Sequence, residues 1–379
     1  MKLLFIICCI IYILRIIIIV AASYKERKQK KENVTINDSL PFISVIVPAR
    51  NEEKNIAECI RSITKSDYPK NKFELIVVND RSDDNTANIV KQFTEEYDNV
   101  ILKNITEETK NQNLRGKPGA LQAGFDIAKG EIFLMTDADC TVNEQWITTI
   151  VSQFLNEDDN TINKNVGLVA AYTSIKGENI FAKFQDAEWT YMNTYASAGI
   201  GLGTALGCFG NNLAVSKEAY YKVGGYHNLE FSVTEDYTLL KAVLEGKYEV
   251  RHICDKKTNV ETLACPTIKE YIKQHKRWAI GGISLGWKAF LHVLSSACIT
   301  ATFIIAIIET SLILLAINVI IRILGDVFVL FPIYNILDRR HLKRGIIIFI
   351  TMCSILEIII PFTLINQEVE WKGQVFKKN

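Results

Sequence analysis

Neither sign of charge dominates this chain of 379 residues, in which 43 basic side chains stand against 42 acidic ones. A basic face that would neutralise the phosphates of a nucleic acid is therefore not implied, and no nucleic-acid partner is expected. Nine cysteines are present without a Cys-x-x-Cys spacing, and Cys8, Cys9, Cys298 and Cys353 fall within apolar runs. That pattern supports neither a disulfide framework nor a zinc site. Membrane-length apolar runs are missing from the middle of the chain and concentrated at its two ends, so average hydropathy conceals a division between a soluble centre and apolar flanks.

From Leu3 to Ala22 the chain is apolar apart from Arg15. About twenty residues at 1.5 Å rise cross a hydrocarbon core of about 30 Å, so residues 1–23 are expected to form an anchor. A secretory signal peptide would share Lys2 and the small residues Ala21-Ala22-Ser23, but not so long an apolar stretch interrupted by Arg15. Lys25, Arg27, Lys28, Lys30 and Lys31 follow directly. Cations clustered beside a span are retained on the cytoplasmic side, which places the centre of the chain, residues 40–286, in the cytosol. Residues 290–366 offer about three further spans, Leu291 to Ile308, Ser311 to Ile336 and Gly345 to Ile365, before a polar tail at 367–379. The basic run Asp338 to Arg344 is assigned to the cytosol by the same rule. Counting spans then puts the tail outside, whereas Lys372, Lys377 and Lys378 favour the inside, so the last segment is either a span or a re-entrant or interfacial element. Arg322 and Asp326, four apart, are expected to neutralise each other on one helix face.

The centre reads as alternating strands and helices. Phe42 to Pro48, Phe73 to Asp80 and Glu131 to Thr136 are short runs rich in β-branched and aromatic residues, and Asp83-Asp84-Asn85-Thr86 is a helix start. Such alternation implies a parallel sheet covered on both faces, with ligands gathering at the carboxyl ends of the strands. Three strand ends deliver Ala49-Arg50-Asn51-Glu52, Asp80 and Asp137-Ala138-Asp139 to one edge. This set suits a nucleotide whose base and sugar need hydrogen-bond partners and whose diphosphate needs a divalent cation. Helix capping is the competing role for Asp80 and Asp83. Lys117, in the glycine-containing stretch Leu114 to Ala120, is suited to phosphates. Glu235-Asp236 opens a helical run and, taken alone, reads as ordinary N-terminal acids. Gln274, Arg277 and Trp278 share a helix face just before the apolar end, where a snorkelling arginine and an interfacial tryptophan are common. Trp189 to Gly203 reads either as an amphipathic segment on the membrane surface or as core packing.

In combination, Val45-Ile46-Val47-Pro48-Ala49-Arg50-Asn51-Glu52, Val78-Asn79-Asp80, Asp137-Ala138-Asp139, Thr234-Glu235-Asp236 and Gln274-His275-Lys276-Arg277-Trp278 resemble the membrane-bound inverting glycosyltransferases of family 2. That group includes ceramide glucosyltransferases, hopanoid-lipid glycosyltransferases and the cellulose and hyaluronan synthases. The resemblance implies an α/β GT-A fold, a Rossmann-like nucleotide-diphospho-sugar transferase, with membrane helices at both ends and Mg²⁺ or Mn²⁺ as cofactor. It further implies that Ala49, Glu52, Asp80, Lys117, Asp137 and Arg277 bind the nucleotide sugar, with Asp80 on uracil and Asp137 near the ribose or donor sugar. Asp139 would bind the metal, and Asp236 would be the general base. Gln274, Arg277 and Trp278 would close the site around diphosphate and acceptor, while Gly207 to Ala214 matches the stretch beneath the donor sugar. Trp371-Lys372-Gly373 resembles the tail of small bacterial members, from which Gln374 departs.

The expected reaction is hexosyl or N-acetylhexosaminyl transfer from a UDP-sugar to a lipid or lipid-linked acceptor at the cytosolic face of a bacterial cytoplasmic membrane. Two alternatives are a processive polysaccharide synthase and an inactive membrane-tethered nucleotide-binding scaffold. A nucleotidyltransferase would account for the metal acids but not for the Arg-Trp cluster.

Overall fold

The computed structural model describes residues 1–28, 40–107, 109–156, 160–364, 368–371 and 374–376. Lys30, Lys31, Lys372, Gly373, Lys377 and Lys378, used above for sidedness or the tail motif, lie outside the described residues. In chain order, α1 (Lys2–Lys28) precedes β1 (Ile43–Ala49), α2 (Ile56–Thr64), β2 (Phe73–Asp80), α3 (Thr86–Glu96) and β3 (Val100–Ile105). Next come α4 (Lys117–Phe125), β4 (Ile132–Met135), α5 (Trp146–Ser152), β5 (Val166–Ala171), β6 (Thr173–Lys176) and α6 (Ile180–Gly201). They are followed by β7 (Leu213–Ser216), α7 (Lys217–Lys222), α8 (Gly225–Asn228), α9 (Glu235–Glu245), β8 (Glu249–Ile253), β9 (Val260–Leu263) and α10 (Ile268–Gly282). The chain ends with α11 (Trp287–Ile308), α12 (Leu312–Ile336), α13 (Ile346–Thr363) and the hairpin β10 (Val369–Trp371) and β11 (Gln374–Phe376).

Seven strands form one sheet in the order β3-β2-β1-β4-β7-β5-β8. Every residue of β2 and β4 is buried, as continuous apolar strands between two helical layers must be. One apolar layer centres on Ile43, Val45, Leu75 and Trp146, and the other on Ile46, Ile76, Phe125 and Phe133. The expectation of a parallel sheet holds for β3, β2, β1 and β4 and fails at β7, which runs antiparallel to both β4 and β5. Local propensity does not encode strand direction. What decides it here is that the chain reaches β7 from the long helix α6 and enters the sheet at the edge where β4 ends.

Four helices, α1, α11, α12 and the segment Arg340–Thr363, are long and apolar enough to cross a membrane by length and composition. α1 packs against α6, α11 and α12, and its far end is tied to β8, where the backbone N–H of His252 donates to Glu26 Oε1 at 2.8 Å. Both ends of α13 meet the sheet unit. Before it, Arg339 pairs with Asp186 at 3.5 Å and with Glu261; after it, Leu364 packs with Ile280, Phe231 and Val233.

One sequence expectation is overturned by the packing, and one open alternative is decided by it. Arg322 does not pair with Asp326 on its own helix but makes a two-pronged bond across to Glu357 of α13, with both N–H···O distances 3.1 Å. The planar guanidinium matches a facing carboxylate better than one four residues along the same helix. Trp189 to Gly203 is no surface segment, since most of α6 is buried, including Trp189, Asn193, Ala196 and Ala198. None of the nine cysteines forms a disulfide.

Candidate functional site

The strand ends meet as the sequence implied. Ala49, 2% exposed, closes β1, and Asp80, 6% exposed, closes β2. The Asp80 carboxylate accepts from Arg81 Nε at 2.8 Å and stands 3.9 Å from a guanidinium nitrogen of Arg50, so it does not cap the next helix. Asn85 is the N-cap of α3 without a side-chain bond, and the first helical N–H, that of Thr86, donates to Asp84 Oδ1 at 3.0 Å rather than to Asp83. Glu52 braces the turn into α2: its N–H donates to Thr86 Oγ1 at 2.8 Å and its Oε2 accepts from Asn55 Nδ2 at 2.8 Å.

The antiparallel entry of β7 completes the centre. Leu213, its first residue, registers with Met135, the last of β4, so the Phe209 to Asn212 turn arrives beside Asp137-Ala138-Asp139. Thr136 Oγ1 donates to the Asn211 carbonyl at 2.9 Å and locks the two together. Across this seam the Gly210 N–H donates to Asp236 Oδ2 at 2.7 Å, while Asp236 Oδ1 accepts from the Tyr237 N–H at 2.7 Å. Lys117 opens α4 after Gly116, whose φ of 66° is a conformation that glycine adopts without strain. Its ammonium lies 2.6 Å from Asp137 Oδ1 and 3.1 Å from Glu235 Oε1. Lys117 is therefore the cation of a carboxylate cluster rather than a free loop lysine.

The electrostatics follow from that packing. Burial and the neighbouring Glu235 raise the Asp236 carboxyl to about 7, against the opposing pull of Lys117 and two backbone N–H donors. For Lys117, burial disfavours the charge but Asp137 and Glu235 outweigh it, so its pKa is raised and the ammonium is retained. Gly210 is tightly placed: a Cβ there would meet Asp236 Cβ at 3.2 Å, Glu235 Oε1 at 3.3 Å and Lys117 Nζ at 3.3 Å, so these neighbours would have to shift by a few tenths of an ångström. Gly210→Ala is expected to lower turnover about tenfold to a hundredfold by displacing Asp236, with thermal stability changed little. Steady-state kinetics beside a melting curve check this, and unaltered turnover would contradict it.

α10 supplies the opposite wall. Gln274 Oε1 accepts weakly from Cys265 Sγ at 3.5 Å, and Arg277 donates to the Val233 carbonyl at 3.3 Å. Trp278 packs edge-on to Trp189 with ring centroids 5.5 Å apart. Beneath it, buried Glu188 accepts from Tyr271 and lies 2.9 Å from His275 Nε2. Burial opposes a charge on His275, yet Glu188 prevails and raises its pKa.

Ala49, Glu52, Asp80, Lys117, Asp137, Asp139, Asp236, Gln274, Arg277 and Trp278 all line one cavity of about 1980 Å³. Of the stretch expected beneath the donor sugar, Gly207 to Asn211 line it as well, whereas Asn212 to Ala214 do not. Among the described residues there is no group of three or more His, Cys, Asp or Glu side chains able to cage a metal. Mg²⁺ needs no such cage, because it takes one or two carboxylates and completes its shell with substrate phosphates and water. Asp139, with Asp137 beside it, fits that donor set. Sequence reasoning reads Glu235 only as a helix N-terminal acid beside Asp236, not as the anchor of Lys117, and gives no role to Glu188, which lies in the long helix α6. Its only sequence signal is a carboxylate amid apolar and aromatic neighbours.

A family model described as glycosyl transferase family 21 matches residues 3–379. The beta-monoglucosyldiacylglycerol synthase of Trichormus variabilis is 29% identical over 261 residues, 68% of this chain and 52% of that protein. The poly-beta-1,6-N-acetyl-D-glucosamine synthase of Staphylococcus epidermidis is 27% identical over 245 residues, 63% of this chain and 54% of that one. The chain thus spans about half the length of these curated relatives. Among solved structures, a mannosyltransferase from Pyrobaculum calidifontis in complex with GDP-Man and Mn²⁺ aligns with a TM-score of 0.57 at 18% identity, covering 93% of this chain and 99% of that one. The fold is that of the GT-A glycosyltransferases.

Proposed function

Because this chain belongs to glycosyl transferase family 21, we propose that it is an inverting glycosyltransferase moving a hexosyl or N-acetylhexosaminyl group from a UDP-sugar to a lipid acceptor at a membrane surface. The observation that carries this reading is the cavity. It joins Asp137, Asp139 and Asp236 to residues of the apolar helices, including Ile11, Leu14, Ala297 and Ile304. At about 1980 Å³ it exceeds the roughly 300–1,000 Å³ of an ordinary ligand pocket, leaving room for a lipid beside a nucleotide sugar. The name of the diacylglycerol-glucosylating relative points the same way.

In this mechanism Asp80, oriented by Arg81, accepts from the base, and the Ala49 and Glu52 segment borders the nucleoside. Asp139, with Asp137 nearby, would hold Mg²⁺ or Mn²⁺, which supplies positive charge to the diphosphate when bound. Lys117 and Arg277 offer further positive charge to the leaving diphosphate, and Lys117 keeps Asp137 and Glu235 from repelling it. Trp278 walls the acceptor, and Gln274 offers it hydrogen-bonding capacity. Asp236 takes the proton of the acceptor hydroxyl as that oxygen attacks the anomeric carbon opposite the leaving group, so the centre inverts. Gly210 and the start of α9 hold its carboxylate, and each oxygen keeps a lone pair for that proton.

A base with its pKa near 7 must be deprotonated to work. Transfer is expected to fall as pH drops through about 7, with the cause lying in the burial of Asp236 beside Glu235. A pH–rate profile at saturating donor checks this, and a flat profile between pH 5.5 and 8 would contradict it.

Sidedness also belongs to this reading. Lys25, Arg27 and Lys28 at the end of α1 and the basic run around Arg339 both adjoin the sheet unit, which supports a cytosolic catalytic unit in a bacterial cytoplasmic membrane. α13, held to that unit at both ends and exposing Ile347, Ile355, Ile358 and Phe362, is read as an interfacial helix rather than a span. The tail then stays on the catalytic side, where β10 lies beside α10. This reading keeps the division into 1–23, 40–286, 290–366 and 367–379 and takes the third part as two spans and an interfacial helix.

The deciding experiment expresses the wild type and Asp236→Asn in a host whose membranes are given radiolabelled nucleotide sugars, followed by chromatography and mass spectrometry of the lipids. A labelled glycolipid from the wild type alone is expected. Labelled polymer would point to a synthase, and UDP binding without any product would point to a scaffold.

A further inference from the structure

Glu188 is a carboxylate that the mechanism above leaves unused, although it lines the cavity beside Gln274, His275, Arg277 and Trp278. It is 8% exposed, and both of its oxygens are taken by α10: Oε2 accepts from Tyr271 Oη, and Oε1 lies 2.9 Å from His275 Nε2. The other ring nitrogen, Nδ1, lies 2.9 Å from the Tyr271 carbonyl, which can only accept. Both nitrogens of His275 therefore carry protons, and the ring is held as an imidazolium against ionised Glu188. Tyr271, His275 and Trp278 form a ladder of rings along α10, with centroids 4.0 Å apart at the first step and 4.9 Å at the second. Trp278 in turn meets Trp189 at 5.5 Å and Phe209 at 6.3 Å. Phe209 directly precedes Gly210, whose N–H donates to Asp236.

Holding α10 in place does not need a buried ion pair. Tyr271 already packs against Phe181 and Phe184 at 5.4 and 5.9 Å, and Ile280 sits among Phe231, Val233 and Leu364. Gln185 of α6 grips the Cys265 backbone ahead of α10, accepting from its N–H at 2.8 Å and donating to its carbonyl at 3.1 Å. Apolar side chains of similar size would serve stability as well, because two desolvated charges rarely repay their burial. What the hydrogen bonds add is direction. Apolar contacts let a helix turn slightly about its axis, whereas a carboxylate bonded at both oxygens resists that turn. We propose that Glu188 and His275 are positioning residues, a latch that sets the rotation of α10 and so aims Trp278 and Gln274 at the acceptor. The latch rests on the acceptor role read for that face above and deepens it. The donor is held mainly by the strand ends, so its binding depends less on that rotation.

The test uses the full chain in nanodiscs of phosphatidylcholine, which has no hydroxyl to attack. The expression host's total lipid extract is diluted into them as acceptor, with radiolabelled UDP-glucose and UDP-N-acetylglucosamine as donors. Glu188→Leu or His275→Leu alone strands a buried charge and is expected to lower both melting temperature and transfer. The double leucine variant removes both charges, so its melting temperature should return close to that of the wild type. Its kcat/KM for the extract should nevertheless stay about tenfold to a hundredfold down, with the UDP dissociation constant changed no more than about threefold. Glu188→Gln can accept from Tyr271 through its amide oxygen and donate to a neutral His275 through its amide N–H, so it should stay within about threefold of the wild type. A double leucine variant that recovers transfer along with its melting temperature would make the pair merely structural and overturn the latch. Glu188→Gln as impaired as the double variant, or UDP binding weakened in step with acceptor use, overturns it as well. Should the leucine variants not fold, Tyr271→Phe, which removes one hydroxyl, decides: acceptor efficiency about threefold to tenfold lower at unchanged UDP affinity is expected, and no change overturns the latch. Wild-type transfer to no lipid removes the acceptor reading and the latch together.

Discussion

Asp236→Asn is expected to cut sugar transfer by about a hundredfold to ten-thousandfold, the span a lost general base commonly costs. Donor binding should change by no more than about threefold, because the amide preserves shape and Asp236 is not read as touching the nucleotide. The asparagine can still accept from the Gly210 and Tyr237 N–H groups through its carbonyl oxygen, but not through both oxygens as the carboxylate does. A loss of kcat with an unaltered donor dissociation constant, measured by calorimetry with UDP, is therefore the signature. Near-normal transfer would show that another group takes the proton. The metal acid should differ, since Asp139→Asn is expected to weaken metal-dependent donor binding itself, by about tenfold or more.

The second large effect is expected from Lys117→Met. It leaves Asp137 and Glu235 facing each other without their shared ammonium, at 2.6 and 3.1 Å in the native chain. Breaking a buried pair costs about 3–5 kcal/mol. Asp137 is 35% exposed, so solvent screening reduces the expected destabilisation to about 2–3 kcal/mol. Lys117 also opposes the elevation of Asp236. Without it the carboxyl should hold its proton to still higher pH, and the acid limb of the rate profile should move upward. Adding Glu235→Gln removes one uncompensated acid and should recover part of the melting temperature and return the limb toward its original position. A single variant with unchanged melting temperature and pH profile would mean that the ammonium balances neither acid.

Much of the candidate site was legible because its chemistry is local to strand ends. Ala49, Asp80 and Asp137 each terminate an apolar run, and parallel neighbours bring such termini to one edge whatever helices lie between them. Asp236 and the Gln274 to Trp278 face required the family resemblance, because a helix N-terminal acid and an interfacial Arg-Trp pair have ordinary structural roles with the same spacing. Glu188 has no sequence role and Glu235 only that of a helix N-terminal acid, since a buried carboxylate is recognised only through the partner that justifies its burial. Those partners, Tyr271 with His275 and Lys117, lie far off in sequence. Arg322 was assigned the wrong carboxylate for the same reason: Asp326 was near in sequence, but Glu357 was better placed for two parallel hydrogen bonds.

By itself the amino-acid order determined the apolar helices, the alternation of strands and helices and the edge where the acids collect, because hydrophobic period and turn chemistry act over a few residues at a time. Only the tertiary structure decided that β7 enters antiparallel and carries Gly210 against Asp236, that Lys117 serves two carboxylates, and that the edge where the acids collect opens into a cavity reaching among the apolar helices. Those outcomes depend on which surfaces meet across long stretches of chain, and strand direction, charge pairing and cavity shape are properties of the packed whole.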